Sequence, residues 1–492
     1  MRRQKPIFYS ALMLTGVNLL LRFTGTAFQV FISGQIGASG VGLLQLVLSV
    51  GSLSMTAGIA GIRTATMYLV AEELGKNRRQ NTPWVLSGCF VYSILFSGTI
   101  AALLYFFAPT IALEWIGDIR TFGAIRLLAA FLPVSCLCGV FSGYFIAANR
   151  VGTLAAVEVA EQLLSMAVTA SALVFWANTD PGKACQAVVL GSSAGALLTL
   201  IALCLLRLKE RQKYGAKIPV FGRLMDTAIP LALADDLKAG ISTLENLMVP
   251  KRLALYTAGS LALFGTVCGM VFPILMFPAA ILFGLTELLI PEMARCRASG
   301  SHRRVHYLMH RSLRLALIYG SLCSGILYLA ASELCLSLYK SAEAGTYLRW
   351  FAPLTVMLYC DIVTDAMIKG LGQQRVSVRY NILTSSMDVA LLFLLLPVFG
   401  IKGYFFSFLV THALNFYLSL KRLIKITGQE IDLKTAVVTL GCCIAATGLC
   451  GSFPSPWLRC LAFVAAFFSA LFLLRVLSKE DIHWFKGLIY QK

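Results

Sequence analysis

Apolar residues run along this chain in about fourteen long stretches separated by short polar connections. They cover residues 7–32, 40–70, 84–107, 122–147, 152–176, 185–207, 223–249, 256–290, 311–338, 346–370, 376–398, 400–424, 433–451 and 456–477. Each has roughly the 20 residues that a helix needs to cross a bilayer. A spanning segment must satisfy its backbone hydrogen bonds internally, and stretches of this length do so as helices. The pattern predicts an all-α polytopic membrane protein. The longest connections between stretches, 207–222 and 295–310, are too short to hold a folded domain.

Charge adds orientation. Most of the 42 Lys and Arg fall at the two ends of the chain or in the connections after even-numbered stretches. The positive-inside rule then places both termini in the cytoplasm, with an even number of crossings. The formal charge of +19 is spread over many short loops, which reads as topology and attraction to anionic membrane lipid rather than nucleic-acid binding. The first stretch follows Arg2, Arg3 and Lys5 and so mimics a signal peptide. It is too long for an h-region and carries Arg22, so it reads as a first helix. Most of the fourteen cysteines lie inside apolar stretches, and none forms a C-x-x-C pair, so they read as small apolar filler.

Two echoes suggest an internal repeat. Leu69-Val70-Ala71-Glu72 and Leu289-Ile290-Pro291-Glu292 each close a stretch before a basic loop, about 220 residues apart. Ala148-Asn149-Arg150-Val151 and Gln373-Gln374-Arg375-Val376 repeat at nearly the same offset. Two six-helix lobes in parallel orientation follow: 1–207 as the first, 208–222 as a linker and 223–425 as the second. Residues 426–492 add two helices and a tail.

Polar stripes inside the apolar stretches are the candidate chemistry. An arginine at the centre of a spanning helix is costly and usually faces a cavity. Thr15, Asn18, Thr26, Gln29 and Ser33 all lie within about 40° of Arg22 on a helical wheel. Gln45, Ser49, Ser52 and Thr56 share a face with Arg63 in the same way. Arg63 lies nearer the cytoplasmic end, and snorkelling to the interface is an alternative reading. Facing inward, the two arginines would suit an anionic head group such as a phosphate or pyrophosphate, which guanidinium forks bind bidentately. Asn18, Gln29, Gln45 and Thr56 would complete that site.

The second half carries carboxylates. Asp235, Lys238, Ser242 and Glu245 share a stripe on stretch seven, with Asp361 and Asp365 on stretch ten and Asp388 on stretch eleven. Asp235, Glu245, Asp365 and Asp388 are candidates for coupling to Na+ or H+, since a cation site needs hard oxygens or a titrating group. Lys238 neutralising Asp235 or Asp236 is the rival reading. His302, His306 and His310 recur every four residues among arginines and read as a basic helix on the membrane surface. No phosphate-binding G-x-x-x-x-G-K-[ST] loop, nucleophile elbow or H-E-x-x-H is present, and no cofactor is expected.

Leu21-Arg22-Phe23-Thr24-Gly25, the Gly37–Gln45 turn, residues 58–73, and the run from Phe277-Pro278 to Leu289-Ile290-Pro291-Glu292 carry a family resemblance. The chain resembles the multidrug/oligosaccharidyl-lipid/polysaccharide exporter superfamily, and within it the stage V sporulation protein B and polysaccharide-flippase branch. The resemblance implies two six-helix lobes around a central cavity that alternates between inward and outward openings. It implies a substrate such as an undecaprenyl-pyrophosphate-linked glycan, the bacterial cytoplasmic membrane as location, and transport without bond making or breaking. Related flippases use arginines of helices 1 and 2 for the head group, a role that carries to Arg22 and, less closely, Arg63. The family's sodium site maps by position to Asp235 or Glu245, Asp365 and Asp388. Proton-coupled drug exporters have an aspartate in helix 1, whereas the first stretch here has no acidic residue. A cation-coupled drug exporter is the alternative function, and a membrane-embedded glycosyltransferase would require an acidic external loop that this chain lacks. A monomer is the default assembly.

Overall fold

The computed structural model describes residues 4–76, 78–177, 180–208, 220–428 and 432–477. Most of the 208–222 linker and the tail beyond 477 lie outside the described residues. Among the described residues every regular element is helical. The main helices are α1 (Gln4–Ile59), α2 (Ile62–Gly75), α3 (Thr82–Phe106), α4 (Phe122–Ala147), α5 (Val151–Ala172) and α6 (Pro181–Leu208). There follow α7 (Phe221–Leu253), α8 (Ser260–Thr266), α9 (Ala279–Ala298), α10 (His302–Leu329), α11 (Ala342–Phe351) and α12 (Thr355–Gly370). Then come α13 (Gln374–Phe399), α14 (Ile401–Thr427), α15 (Leu433–Cys450) and α16 (Pro456–Leu473).

Among the described residues, ten helices are long and apolar enough to cross a membrane, or eleven counting the pair broken at Phe277-Pro278. The first of these, Leu19–Gly75, is 57 residues long, about 85 Å at helical rise and far more than one bilayer crossing. It breaks where Gly37 takes φ 68°, ψ 177°, so the first two apolar stretches appear as one helix with a kink. The predicted stretch 311–338 begins earlier, because the basic residues from His302 onward continue the helix rather than forming a separate surface element. Large apolar side chains point outward, Phe175 at 87% and Leu473 at 82% exposure. Apolar side chains facing outward along apolar helices are what contact with lipid requires.

The chain divides into two compact units, 1–269 with 388–403, and 270–387 with 404–492. The first is built around Tyr92, Phe145, Leu69 and Val85, all buried. Its tightest crossing joins α1 to α8. A Cβ on Gly42 would lie 2.3 Å from the Leu261 carbonyl oxygen, and one on Gly265 would lie 2.0 Å from that of Ala38. Glycine at both positions lets the two backbones touch. The second unit packs Phe463 and Phe467 of α16 against α15 and α10, with Phe463 filling the space beside Gly325.

One pair of the sequence echoes ends its helices in the same way. Helix α4 ends with Asn149 at φ 58°, Asn149 N–H donating to Ile146 and Arg150 N–H to Phe145. Helix α12 ends with Gly372 at φ 74°, Gly372 N–H donating to Lys369 and Gln373 N–H to Ile368. The same left-handed cap therefore closes both helices.

Candidate functional site

Arg22 is exposed on α1. The rotation of α1 is fixed by Gln162 of α5, whose Nε2 donates to the Leu21 carbonyl at 3.0 Å and to Thr24 Oγ1 at 3.3 Å. That contact turns Leu21, Thr24 and Gly25 toward α5 and leaves Arg22 about 100° around the helix from them. Along the stripe, Thr26 and Ser33 bond back to the Arg22 and Gln29 carbonyls. Gln29 Nε2 reaches the Gly269 carbonyl at 3.3 Å. The side chain of Asn18 lies outside the described residues.

Arg63 opens α2, just after Ala60 and Gly61 break the helix with positive φ values of 42° and 71°. Its backbone is pressed against α4, where a Cβ on Gly143 would lie 2.5 Å from the Arg63 carbonyl oxygen. Its guanidinium is half-exposed and stands 4.0 Å from Glu158 of α5, the outer limit of an ion pair. Gln45 and Thr56 lie on the same helical run. Both are partly buried; Gln45 accepts from Ser49 through its backbone, and Thr56 donates to the Ser52 carbonyl.

The carboxylates fall into separate places. Glu245 of α7 and the buried Asp388 of α13 are in side-chain hydrogen-bond contact within the first unit. Asp235 is exposed on α7, and among the described residues no ion pair joins Lys238 to Asp235 or Asp236. Asp365 belongs to the second unit, where Lys369 one turn on sits 2.5 Å from its Oδ2 and Ser377 donates to its Oδ1. Beside it, Asp361 accepts from Asn415 Nδ2 at 2.9 Å, while its other oxygen is buried without a partner. Thr384 reaches the Asn415 carbonyl oxygen at 3.5 Å.

Four residues at these contacts escape the wheel reading. Glu158, Glu161 and Gln162 sit at i, i+3 and i+4 in the apolar stretch 152–176, a polar stripe as clear as that of Arg22. Glu161 accepts from Thr199 of α6 at 2.7 Å. Asn415 carries the same signal, since Ser407, Thr411, Asn415 and Ser419 recur every four residues along the apolar stretch 400–424.

The family model described as MatE matches residues 14–180, the part that holds Arg22, Arg63 and Glu158. Stage V sporulation protein B of Bacillus subtilis (strain 168) is 24% identical over 406 residues, covering 80% of this chain and 78% of its own. An inward-facing multidrug resistance MATE family transporter of the MOP superfamily aligns with TM-score 0.67 at 13% identity, covering 85% of this chain and 99% of its own. The lipid II flippase MurJ in an inward closed conformation also reaches 0.67, at 12% identity, covering 94% and 99%. The chain has the fold of these transporters, and its residues 14–180 match the MatE family. It is a multi-pass membrane protein, all-helical among the described residues.

Proposed function

We propose that this chain is a member of the multidrug/oligosaccharidyl-lipid/polysaccharide exporter superfamily and a flippase that moves a lipid-linked oligosaccharide across the bacterial cytoplasmic membrane by alternating access. The observation that carries the reading is the pair of arginines, Arg22 and Arg63, on apolar helices, with Arg63 standing 4.0 Å from its acidic neighbour Glu158. A loosely held guanidinium can exchange a weak carboxylate contact for the bidentate grip of a pyrophosphate. The substrate class is an undecaprenyl-pyrophosphate-linked glycan, in keeping with the names of two similar proteins, a sporulation protein and a lipid II flippase. The flippase also takes in more of this chain than the drug transporter does, 94% against 85%.

On this reading Arg22 and Arg63 hold the head group, with Asn18, Gln29, Gln45 and Thr56 along the same path. Glu245 and Asp388 form the coupling site. Two neighbouring carboxyls offer oxygens to a proton or a sodium ion, and Asp235 stands on the same helix. Asp365 is compensated by Lys369 and takes a structural part. Both termini lie in the cytoplasm, the working unit is a monomer, and no bond is made or broken.

A drug exporter on the same fold is the second reading, favoured by the carboxylates. Native mass spectrometry of the purified protein separates the two. Wild type should retain undecaprenyl-pyrophosphate-linked glycan over phosphatidylethanolamine and over a cationic drug, and Arg22→Ala should lose that retention. Preference for the drug, indifferent to Arg22, would establish the exporter reading instead.

A further inference from the structure

The structure points to a second substrate contact at the other end of the first unit, and this inference rests on the flippase reading. A groove of about 420 Å³ opens on α7, walled by Leu53, Gly240 and Leu244 and bordered by Trp115, Lys251 and Arg252. The two cations are adjacent in sequence, yet their partners are backbone carbonyls rather than carboxylates. Lys251 Nζ donates to the Glu114 carbonyl. Arg252 donates twice to the Phe393 carbonyl, at 2.8 and 3.1 Å, with its guanidinium 3.7 Å from the centre of the Phe393 ring. Carbonyl dipoles hold a cation in place without cancelling its charge, so both remain available to an anion.

Their depth is defined by how α7 runs beside α1 and α2. Arg223 at the start of α7 pairs with Glu72 and Glu73 at the end of α2, at 2.7 and 3.1 Å. Further on, the Ala228 carbonyl oxygen approaches Gly61, and Thr243 donates to the Ser49 carbonyl at 3.1 Å. The helices are therefore antiparallel. Arg63 lies at the level of Ala228, and the stretch of α7 from there to Lys251 spans about 35 Å at helical rise. That matches the roughly 30 Å hydrocarbon core of a bilayer. The charge pattern assigns the Lys251 end to the outside.

We infer that Trp115, Lys251 and Arg252 form an outer-face subsite for the head group of a lipid-linked glycan, with the pyrophosphate on the two cations and a sugar on the indole. Trp115 is 44% exposed, leaving a broad apolar face with a polar edge that suits the apolar face of a sugar ring. The apolar walls of the groove take the first part of the lipid chain. One anion station near each end of the helix pair gives the head group a place to leave from and a place to arrive.

The test measures binding of two probes, undecaprenyl pyrophosphate with and without one N-acetylglucosamine, to the purified full-length protein. Lys251→Gln with Arg252→Gln should weaken both probes about tenfold, the effect of losing a charge-assisted hydrogen bond. Lys251→Gln alone, at an exposed side chain, should weaken both about threefold and serves if the double variant melts early. Trp115→Ala should weaken only the sugar-bearing probe, by about threefold. Wild-type affinity in both lysine variants would overturn the subsite, and equal loss of both probes in Trp115→Ala would overturn the sugar contact. A wild-type protein that binds neither probe better than phosphatidylethanolamine would instead overturn the flippase reading beneath it.

Discussion

Each unit places charge inside an apolar helix bundle, and the two handle it differently. In the second unit charges are tightly matched: Asp365 with Lys369 at 2.5 Å, Glu292 with Arg304 at 2.6 Å, Glu333 with Arg459 at 3.0 Å. In the first unit Arg223 is matched as tightly to Glu72 and Glu73, at 2.7 and 3.1 Å, but two other sites are not. Arg63 stands 4.0 Å from Glu158, and Glu245 meets another carboxyl in Asp388. Opposite charges in close contact stabilise one arrangement and leave little to offer a ligand. Charges held loosely, or against a like charge, cost stability unless a proton, an ion or a substrate completes them. On the proposed function, the loosely met charges of the first unit do the work and the second unit's ion pairs act as scaffold.

Four substitutions sharpen or break that contrast, in order of expected effect. Arg22→Ala should reduce flipping by about 10- to 100-fold, since a charge-assisted contact to pyrophosphate is lost, as measured in proteoliposomes. Activity near wild type would remove the first unit's claim to the head group. Glu245→Gln should cut transport about tenfold and flatten its dependence on the proton or sodium gradient, with melting temperature unchanged or raised. A lowered melting temperature with coupling intact would make that carboxyl pair structural too.

Lys369→Met should destabilise the protein by about 1–2 kcal/mol, a value discounted because Lys369 is 38% and Asp365 22% exposed. Adding Asp365→Asn should recover most of that loss in the same melting experiment. Arg304→Ala should cost less than about 1 kcal/mol, and less again at high salt, because its side chain is 64% exposed. Large transport defects from either of these would erase the distinction between the units.

The fold was legible because apolar length and basic connections are strong, redundant signals. At one pair of the sequence echoes, Asn149 and Gly372 close their helices with the same cap. The kink at Gly37 leaves two predicted stretches in one long helix, because a single glycine can redirect a chain without a polar loop. Much of the candidate chemistry was visible as single residues but not as pairs. Wheel geometry puts Glu245 and Asp365 on apolar helices. It cannot say that Glu245 meets Asp388 across two helices while Asp365 meets Lys369 along one. Periodicity reads one helix at a time, and Glu158 near Arg63 is a contact between helices that no spacing encodes.

The most direct test of the central claim is a flipping assay with a fluorescent undecaprenyl-pyrophosphate glycan in proteoliposomes, comparing wild type, Arg22→Ala and Asp365→Asn. The account predicts transport by wild type, its near-complete loss in Arg22→Ala, and its retention in Asp365→Asn. Transport that survives Arg22→Ala and fails in Asp365→Asn would contradict it and move the working site to the second unit.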